Sequence, residues 1–242
     1  MTKNGQIKRV QLGCGLTTPP GWINVDGSWN ARLAKYPLFR KVLRAVGILP
    51  ADKFSVPWSS GILIHDVRKK LPFQDESIAA IYSSHMLEHL YFDQASRLLA
   101  ECFRVLQPGG VLRIVVPDLR AIVEEYLAER PSEGRGGANL PTITPADRVN
   151  ERLMLRSRTP HSGGILGAYA AFKDLHSHKW MYDSDSLIAH FNRAGFVEAQ
   201  TMPFRTSHIP RVEEVEEASR VLNGTGICVE GIKPGSKGTA GK

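Results

Sequence analysis

Cysteine is scarce: the 242 residues hold three, Cys14, Cys102 and Cys228, spaced far too widely for a metal knuckle and expected to be reduced and mostly structural. Long hydrophobic runs are missing as well. No uninterrupted apolar stretch approaches the roughly twenty residues that cross a bilayer, and the polar start Met1-Thr2-Lys3-Asn4-Gly5 lacks a signal-peptide core, so the expected location is cytoplasmic. Nothing marks a second domain. With 42% hydrophobic residues the composition is that of an ordinary α/β domain, expected to span residues 1–234 and to be followed by a small, polar, disordered tail at 235–242. Charge is less balanced, at a formal +7, which admits an acidic substrate, a nucleic acid or a membrane surface and selects none of them.

What is present begins with Val10-Gln11-Leu12-Gly13-Cys14-Gly15, an apolar strand running into two glycines one residue apart. Each glycine lets the backbone approach a ligand where a Cβ would collide. The dinucleotide-binding pattern wants a third glycine where Thr18 stands and an acid about twenty positions further on. Here the acid comes early, as Asp26 at the end of a second apolar strand, Trp22-Ile23-Asn24-Val25-Asp26. A carboxylate in that place accepts hydrogen bonds from both hydroxyls of a ribose, so strand, glycine turn, strand and acid point to an adenosine site. At these residues the chain resembles the class I S-adenosylmethionine-dependent methyltransferases, and within them the methyltransferase type 11-like group.

The resemblance continues from residue 8 to residue 118. A third strand, Ile62-Leu63-Ile64-His65-Asp66, ends in another acid and leads into Leu71-Pro72-Phe73-Gln74-Asp75-Glu76-Ser77, which looks like this family's linker before its fourth strand, Ile78 to Ser84. A turn and helix start at His85 to Leu90, a helix exit at Glu101 to Gly110 and a fifth strand at Val111 to Pro117 follow. The family implies an α/β fold: a Rossmann-like, seven-stranded sheet with helices on both faces, whose antiparallel last strand is inserted between the fifth and sixth. It also implies that Gly13, Cys14 and Gly15 pass under the methionine part of S-adenosylmethionine, that Asp26 holds the ribose, and that Asp66 with Val67 meets the adenine. Ser84 completes the expected cofactor set, and S-adenosylhomocysteine is the expected product.

Periodicity fills in the remainder. Leu119, Ile122, Val123, Tyr126 and Leu127 form a helical stripe behind an Asp118 N-cap, and further helices are expected over Pro145 to Arg156 and Ser184 to Ala194. Phe196 to Met202 and Ile227 to Ile232 read as the last two strands. Residues 130–180 are long for a connection and contain the glycine-rich stretch Pro131 to Asn139. Loops at the carboxyl ends of the strands line the ligand crevice of such sheets, so this insertion after the fifth strand is expected to form a lid or substrate wall. Ala31 to Val46 carries basic residues from Arg32 to Arg44 among apolar positions near helical spacing, interrupted by Pro37. A helix covering the sheet with a solvated basic face is the leading reading, with peripheral membrane contact as the alternative.

Two histidine constellations offer chemistry. His85-Met86-Leu87-Glu88-His89 has the literal form of a zinc-protease motif, but it directly follows a strand in the crevice position, where that motif requires a helix interior. It also resembles methyltransferases that hold a divalent ion with Glu-x-x-Glu-His, departing from them by having His85 where the first glutamate would be. A divalent ion stays open as an alternative but no metal ligand is expected, and Glu88 and His89 are expected to cap or tether the helix. The second constellation, Asp174-Leu175-His176-Ser177-His178-Lys179-Trp180-Met181-Tyr182-Asp183, is dense in titratable and aromatic groups. Methyl transfer from a sulfonium to a hydroxyl needs the acceptor positioned and its proton removed, a role that neutral histidine suits near pH 7. His85 is the leading candidate base, with His176 and His178 as rivals.

The acceptor is narrowed by further absences. Ser83-Ser84-His85 stands where amino-methylating DNA enzymes carry an Asn/Asp-Pro-Pro-aromatic run, and no cysteine supplies the Pro-Cys nucleophile of cytosine C5 enzymes. Gly-Trp-Ile-Asn-Val-Asp after the glycine turn and His-Lys-Trp-x-Tyr-Asp before the late helix look like a group of methyltransferases linked to cell-surface sugars and natural products. The expected activity is thus O-methylation of a sugar, glycan or other small hydroxylated acceptor, with an RNA or protein methyltransferase and a non-catalytic cofactor-binding module as the alternatives.

Overall fold

The computed structural model describes residues 7–36, 38, 41–42, 58–129, 144–154 and 177–235. Its centre is a seven-stranded sheet built from β1 (Arg9–Leu12), β2 (Trp22–Asp26), β3 (Leu63–Ile64), β4 (Ile78–Ser84), β5 (Leu106–Val116), β6 (Val197–Thr201) and β7 (Ile227–Ile232). The spatial order is β3-β2-β1-β4-β5-β7-β6. The first five strands run parallel, and β7 lies antiparallel to both of its neighbours. This is the Rossmann-like methyltransferase sheet, with the insertion of the last strand as expected.

Side-chain alternation along β5 shows how both faces are buried. Leu112, Ile114 and Val116 belong to the larger hydrophobic cluster, whereas Val111 and Val115 belong to a second one. On the first face, α2 (Phe92–Val105) buries Ala95, Leu98, Leu99, Cys102 and Val105, an apolar stripe at helical spacing. It is joined by α5 (Ser184–Arg193), which buries Leu187, His190 and Phe191. On the second face the cover includes Ile209, Val212, Val215 and Val221, packed against Trp22, Tyr82, Val115 and Cys228. These come from the connection between β6 and β7, which holds a 3-10 turn at Val212–Glu214 and a short helix, α6 (Ala218–Val221).

Arg113 falls on that second face, wholly buried, and is met by Glu216 at 2.8 Å and Glu230 at 3.2 Å. The carbonyls of Thr206 and Pro203 accept from the same Nη1 and Nη2 at 2.7 and 3.1 Å, and Nε donates to Glu216 at 2.9 Å. A buried guanidinium is tolerable only when its donors are met in this way. The arginine therefore pins the connection to the sheet.

Several boundaries differ from expectation. At the edge of the sheet, β3 pairs only through Leu63 and Ile64 instead of running from Ile62 to Asp66. Strand β5 begins earlier than Val111, because Leu106 already pairs with Ile78 and Gln107 to Gly110 bulge outward before the ladder resumes at Val111. Gly109 has φ +77°, which permits that bulge. The helix over Leu119–Ala128, α3, has its Asp118 cap as expected, with the carboxylate accepting from the Arg120 amide. The next helix, α4 (Pro145–Leu153), ends earlier than Arg156, at a left-handed Met154. Helix α1 (Trp29–Ala34) accounts for the start of the basic segment, and Arg32 donates to the Gly27 carbonyl at 3.1 Å. Residues 37, 39–40 and 43–44 of the Arg32 to Arg44 segment, and residues 130–143 and 155–176 of the expected lid, lie outside the described residues. The three cysteines are free and buried. Among the described residues no helix is long and apolar enough to cross a membrane.

Candidate active site

The carboxyl ends of β1, β2, β3 and β4 lie side by side, so the turns that follow them converge on one edge of the sheet. The β1 turn is tied down by its neighbour. The amides of Gly13 and Cys14 both donate to the Val25 carbonyl, at 2.9 and 3.1 Å. Gly13 has φ +68°, and a Cβ there would sit 2.7 Å from the Met86 side chain, so both its backbone and the packing of the β4 turn demand glycine. Gly15, at φ +55°, differs, because a Cβ there would meet nothing within 4 Å.

Asp26 joins that turn to the start of α1. Its Oδ2 accepts from the Gly15 amide at 3.0 Å and its Oδ1 from the Ser28 amide at 2.8 Å. The carboxylate is thus oriented by two backbone donors, with lone pairs remaining for further donors. Burial, reinforced by the Asp26 charge, pushes the Cys14 thiol up to about 12, so Cys14 serves as packing and not as a nucleophile. Asp66 is engaged otherwise: Arg68 clamps it from Nε at 2.8 Å and Nη2 at 2.7 Å, and that hydrogen bonding holds its carboxyl down at about 2. Val67 packs against the larger core cluster. Ser84, half-buried, closes β4.

His85 follows Ser84 in the left-handed region, with φ +48°. A non-glycine residue held there is strained, and such strain gathers at functional sites. Its Nε2 lies 2.9 Å from the Arg220 carbonyl and its Nδ1 3.3 Å from Glu88 Oε1. A carbonyl only accepts, so Nε2 carries a proton in this geometry, while the Nδ1 side faces a carboxylate. Glu88 lies on the 3-10 turn Leu87–His89, is 1% exposed, and forms no hydrogen bond through either carboxylate oxygen among the described residues.

His178 is brought to the same place from the far end of the chain. The amides of Lys179 and Trp180 donate to the Glu88 carbonyl at 2.7 and 3.2 Å, and His178 Nε2 lies 4.0 Å from Glu88 Oε1. Burial pushes the His178 imidazole below its ordinary range, against the attraction of Glu88, and so favours the neutral ring. His89 packs edge to face with His178, with ring centroids 5.0 Å apart. Trp180 packs edge to face with Phe92, ring centroids 5.0 Å apart, while remaining 45% exposed. His176 lies outside the described residues.

Several contributors were not singled out in the sequence. Gly27 is one: a Cβ there would lie 2.5 Å from the His65 carbonyl, so β2 and the end of β3 come together only around glycine. The Asp26-Gly27 pair was its visible signal. Arg220, which receives His85, and Glu217, whose carboxylate accepts from Thr17 Oγ1, come from the β6–β7 connection, where no local pattern announces a role.

Residues 40–114 match the model of a family described as a methyltransferase domain, over less than half of the chain. A curated relative, a probable S-adenosylmethionine-dependent methyltransferase of Mycolicibacterium smegmatis, is 41% identical over 54 residues. That stretch is 22% of this chain, which spans only 20% of the relative's length. Among solved structures, a SAM-dependent methyltransferase of Thermotoga maritima is 18% identical, with 93% of this chain and 82% of that one covered at a TM-score of 0.44. One from Archaeoglobus fulgidus is 13% identical, with 94% and 86% covered at a TM-score of 0.42. The strand order is that of the Rossmann-like methyltransferase sheet, and the segment 40–114 is similar to a methyltransferase domain.

Proposed function

We propose that this protein transfers the methyl group of S-adenosylmethionine to a hydroxyl oxygen of a sugar or other small hydroxylated acceptor. The observation that carries the reading is the Gly13–Gly15 turn, open at Gly15 and bonded to the Asp26 carboxylate. In this reading Asp26 meets the ribose hydroxyls, and the end of β3 at Asp66 and Val67 borders the adenine.

Transfer is an in-line displacement: the acceptor oxygen forms a bond to the methyl carbon, the carbon–sulfur bond breaks, and the sulfonium becomes the neutral thioether of S-adenosylhomocysteine. The acceptor's proton has to leave. We assign its removal to His85 working against Glu88. In the base form Nδ1 donates to the buried carboxylate and Nε2 presents its lone pair, as in a histidine oriented by an acid. In the structure Nε2 sits on the Arg220 carbonyl and Nδ1 faces Glu88 at 3.3 Å. For turnover, Nε2 exchanges the Arg220 carbonyl for the acceptor hydroxyl.

Trp180, two residues after His178, leaves apolar surface exposed, which suits the acceptor class. The test is to incubate the purified chain with S-adenosylmethionine carrying a labelled methyl group and a panel of hydroxylated acceptors, sugars included. Label in an ether linkage supports the reading. Cofactor binding with transfer confined to nucleic acid or protein acceptors would redirect it.

A further inference from the structure

Glu88 is a carboxylate taken out of water, without a hydrogen bond to either oxygen among the described residues. An ion in that state is strongly disfavoured unless a cation or a proton compensates it. Glu88, His89 and His178 each place a ligand atom within 4.8 Å of the others. His89 Nδ1 lies 3.2 Å from the Ser177 carbonyl. Because that oxygen only accepts, the ring's proton is on Nδ1 and the Nε2 lone pair is free, which is how a metal-binding histidine is usually held.

The other two donors are fixed as firmly. The His178 amide donates to the Met154 carbonyl at 3.0 Å, and the Glu88 carbonyl receives the next two amides of the 177–180 segment. The constellation therefore belongs to backbone-tethered turns and not to swinging surface chains. Tetrahedral donors about 2.0–2.1 Å from an ion stand roughly 3.4 Å apart. The 4.0 Å between His178 Nε2 and Glu88 Oε1 is within a small rotation of that spacing.

We infer that Glu88, His89 and His178 bind one divalent first-row transition-metal ion of the zinc type, through two imidazole nitrogens and a carboxylate. Such a donor set suits zinc and its neighbours, and three protein ligands leave a position for water or for an oxygen of a bound molecule. His85 is outside the set. Its Nδ1 neighbours the carboxylate and its Nε2 is spent on Arg220, so it orients Glu88 and does not bind the ion. The ion would clip the segment before α5 to the turn after β4, whatever the protein's acceptor, so the inference does not rest on the methyl-transfer reading, although both draw on Glu88.

The test uses the untagged full chain, stripped with a chelator and titrated with cobalt(II), with visible d–d absorption as the readout. The expected result is one equivalent bound, displaced by zinc. Melting curves identify the folded variants. Folded Glu88→Gln, His89→Ala and His178→Ala should lose the one-equivalent absorption, while His85→Ala should keep it with an affinity lowered by about ten- to a hundredfold. Absence of d–d bands in the stripped wild-type chain at excess cobalt would overturn the inference without recourse to any variant. So would unchanged binding in folded His178→Ala, or a thiolate-to-cobalt band placing a cysteine on the ion.

Discussion

Replacing Asp26 probes the proposed cofactor cradle through two losses that can be separated. The carboxylate, 7% exposed, accepts from the amides of Gly15 and Ser28 at 3.0 and 2.8 Å. Hydrogen bonds to a charged group are each worth about 1.5–3 kcal/mol. Asp26→Ala removes both and should lower the melting temperature by several degrees, since about 1 kcal/mol moves a domain of this size by roughly 2–4 °C. Asp26→Asn keeps one acceptor oxygen and should recover part of that loss.

Cofactor affinity is read independently. Removing the bonds from the ribose should weaken S-adenosylmethionine by about 1.5–3 kcal/mol, or roughly ten- to 150-fold in Kd, with a similar loss for S-adenosylhomocysteine because both carry the same ribose. Isothermal calorimetry on folded Asp26→Ala measures both ligands. A melting temperature that falls while both affinities stay at wild-type values would refute the reasoning: Asp26 would then serve the turn and not the cofactor.

Three further outcomes follow. His85→Ala should leave S-adenosylmethionine affinity near wild type in calorimetry but slow single-turnover transfer by about a hundredfold or more, as loss of a proton acceptor does; an unchanged rate would remove His85 from the chemistry. Arg113→Met leaves Glu216 and Glu230 buried without their cation, and truncating one partner of a buried ion pair costs about 3–5 kcal/mol, so denaturant unfolding should give an unfolding free energy lower by that amount. His190, buried beside Phe92 and Tyr182, is pushed below its ordinary range of 6.5 by desolvation and then by Arg193. The unfolded chain therefore binds its proton more readily, and stability falls as pH drops from about 6.5 toward the depressed folded value; His190→Phe should flatten that acid-side slope in melting curves taken from pH 7 to pH 4.5.

How much was legible in the sequence depends on how local each signal is. Leu12 to Gly15 and Val25 to Asp26 reveal strand, turn and acid because adjacent residues set those conformations, and β4 and β7 have the expected bounds for the same reason. The position of β7 came from a family resemblance, since no run of side chains specifies its neighbours. Arg113 shows the opposite case: a charge in mid-strand marks a buried site only when Glu216 and Glu230 arrive from more than a hundred residues away. The same is true of Glu88, whose place on the 3-10 turn was legible as Leu-Glu-His. Its enclosure by His178, which reaches it through the 177–180 segment, depends on a long-range contact. Strain at His85 was invisible for another reason, because nothing in the sequence marks a histidine that takes a left-handed conformation.

The central claim is that the turn from Gly13 to Gly15 and Asp26 hold S-adenosylmethionine. Calorimetric titration of the purified chain with S-adenosylmethionine, and separately with S-adenosylhomocysteine, tests it most directly. The account predicts one site per chain with micromolar affinity for both ligands; a folded chain that takes up neither would contradict it.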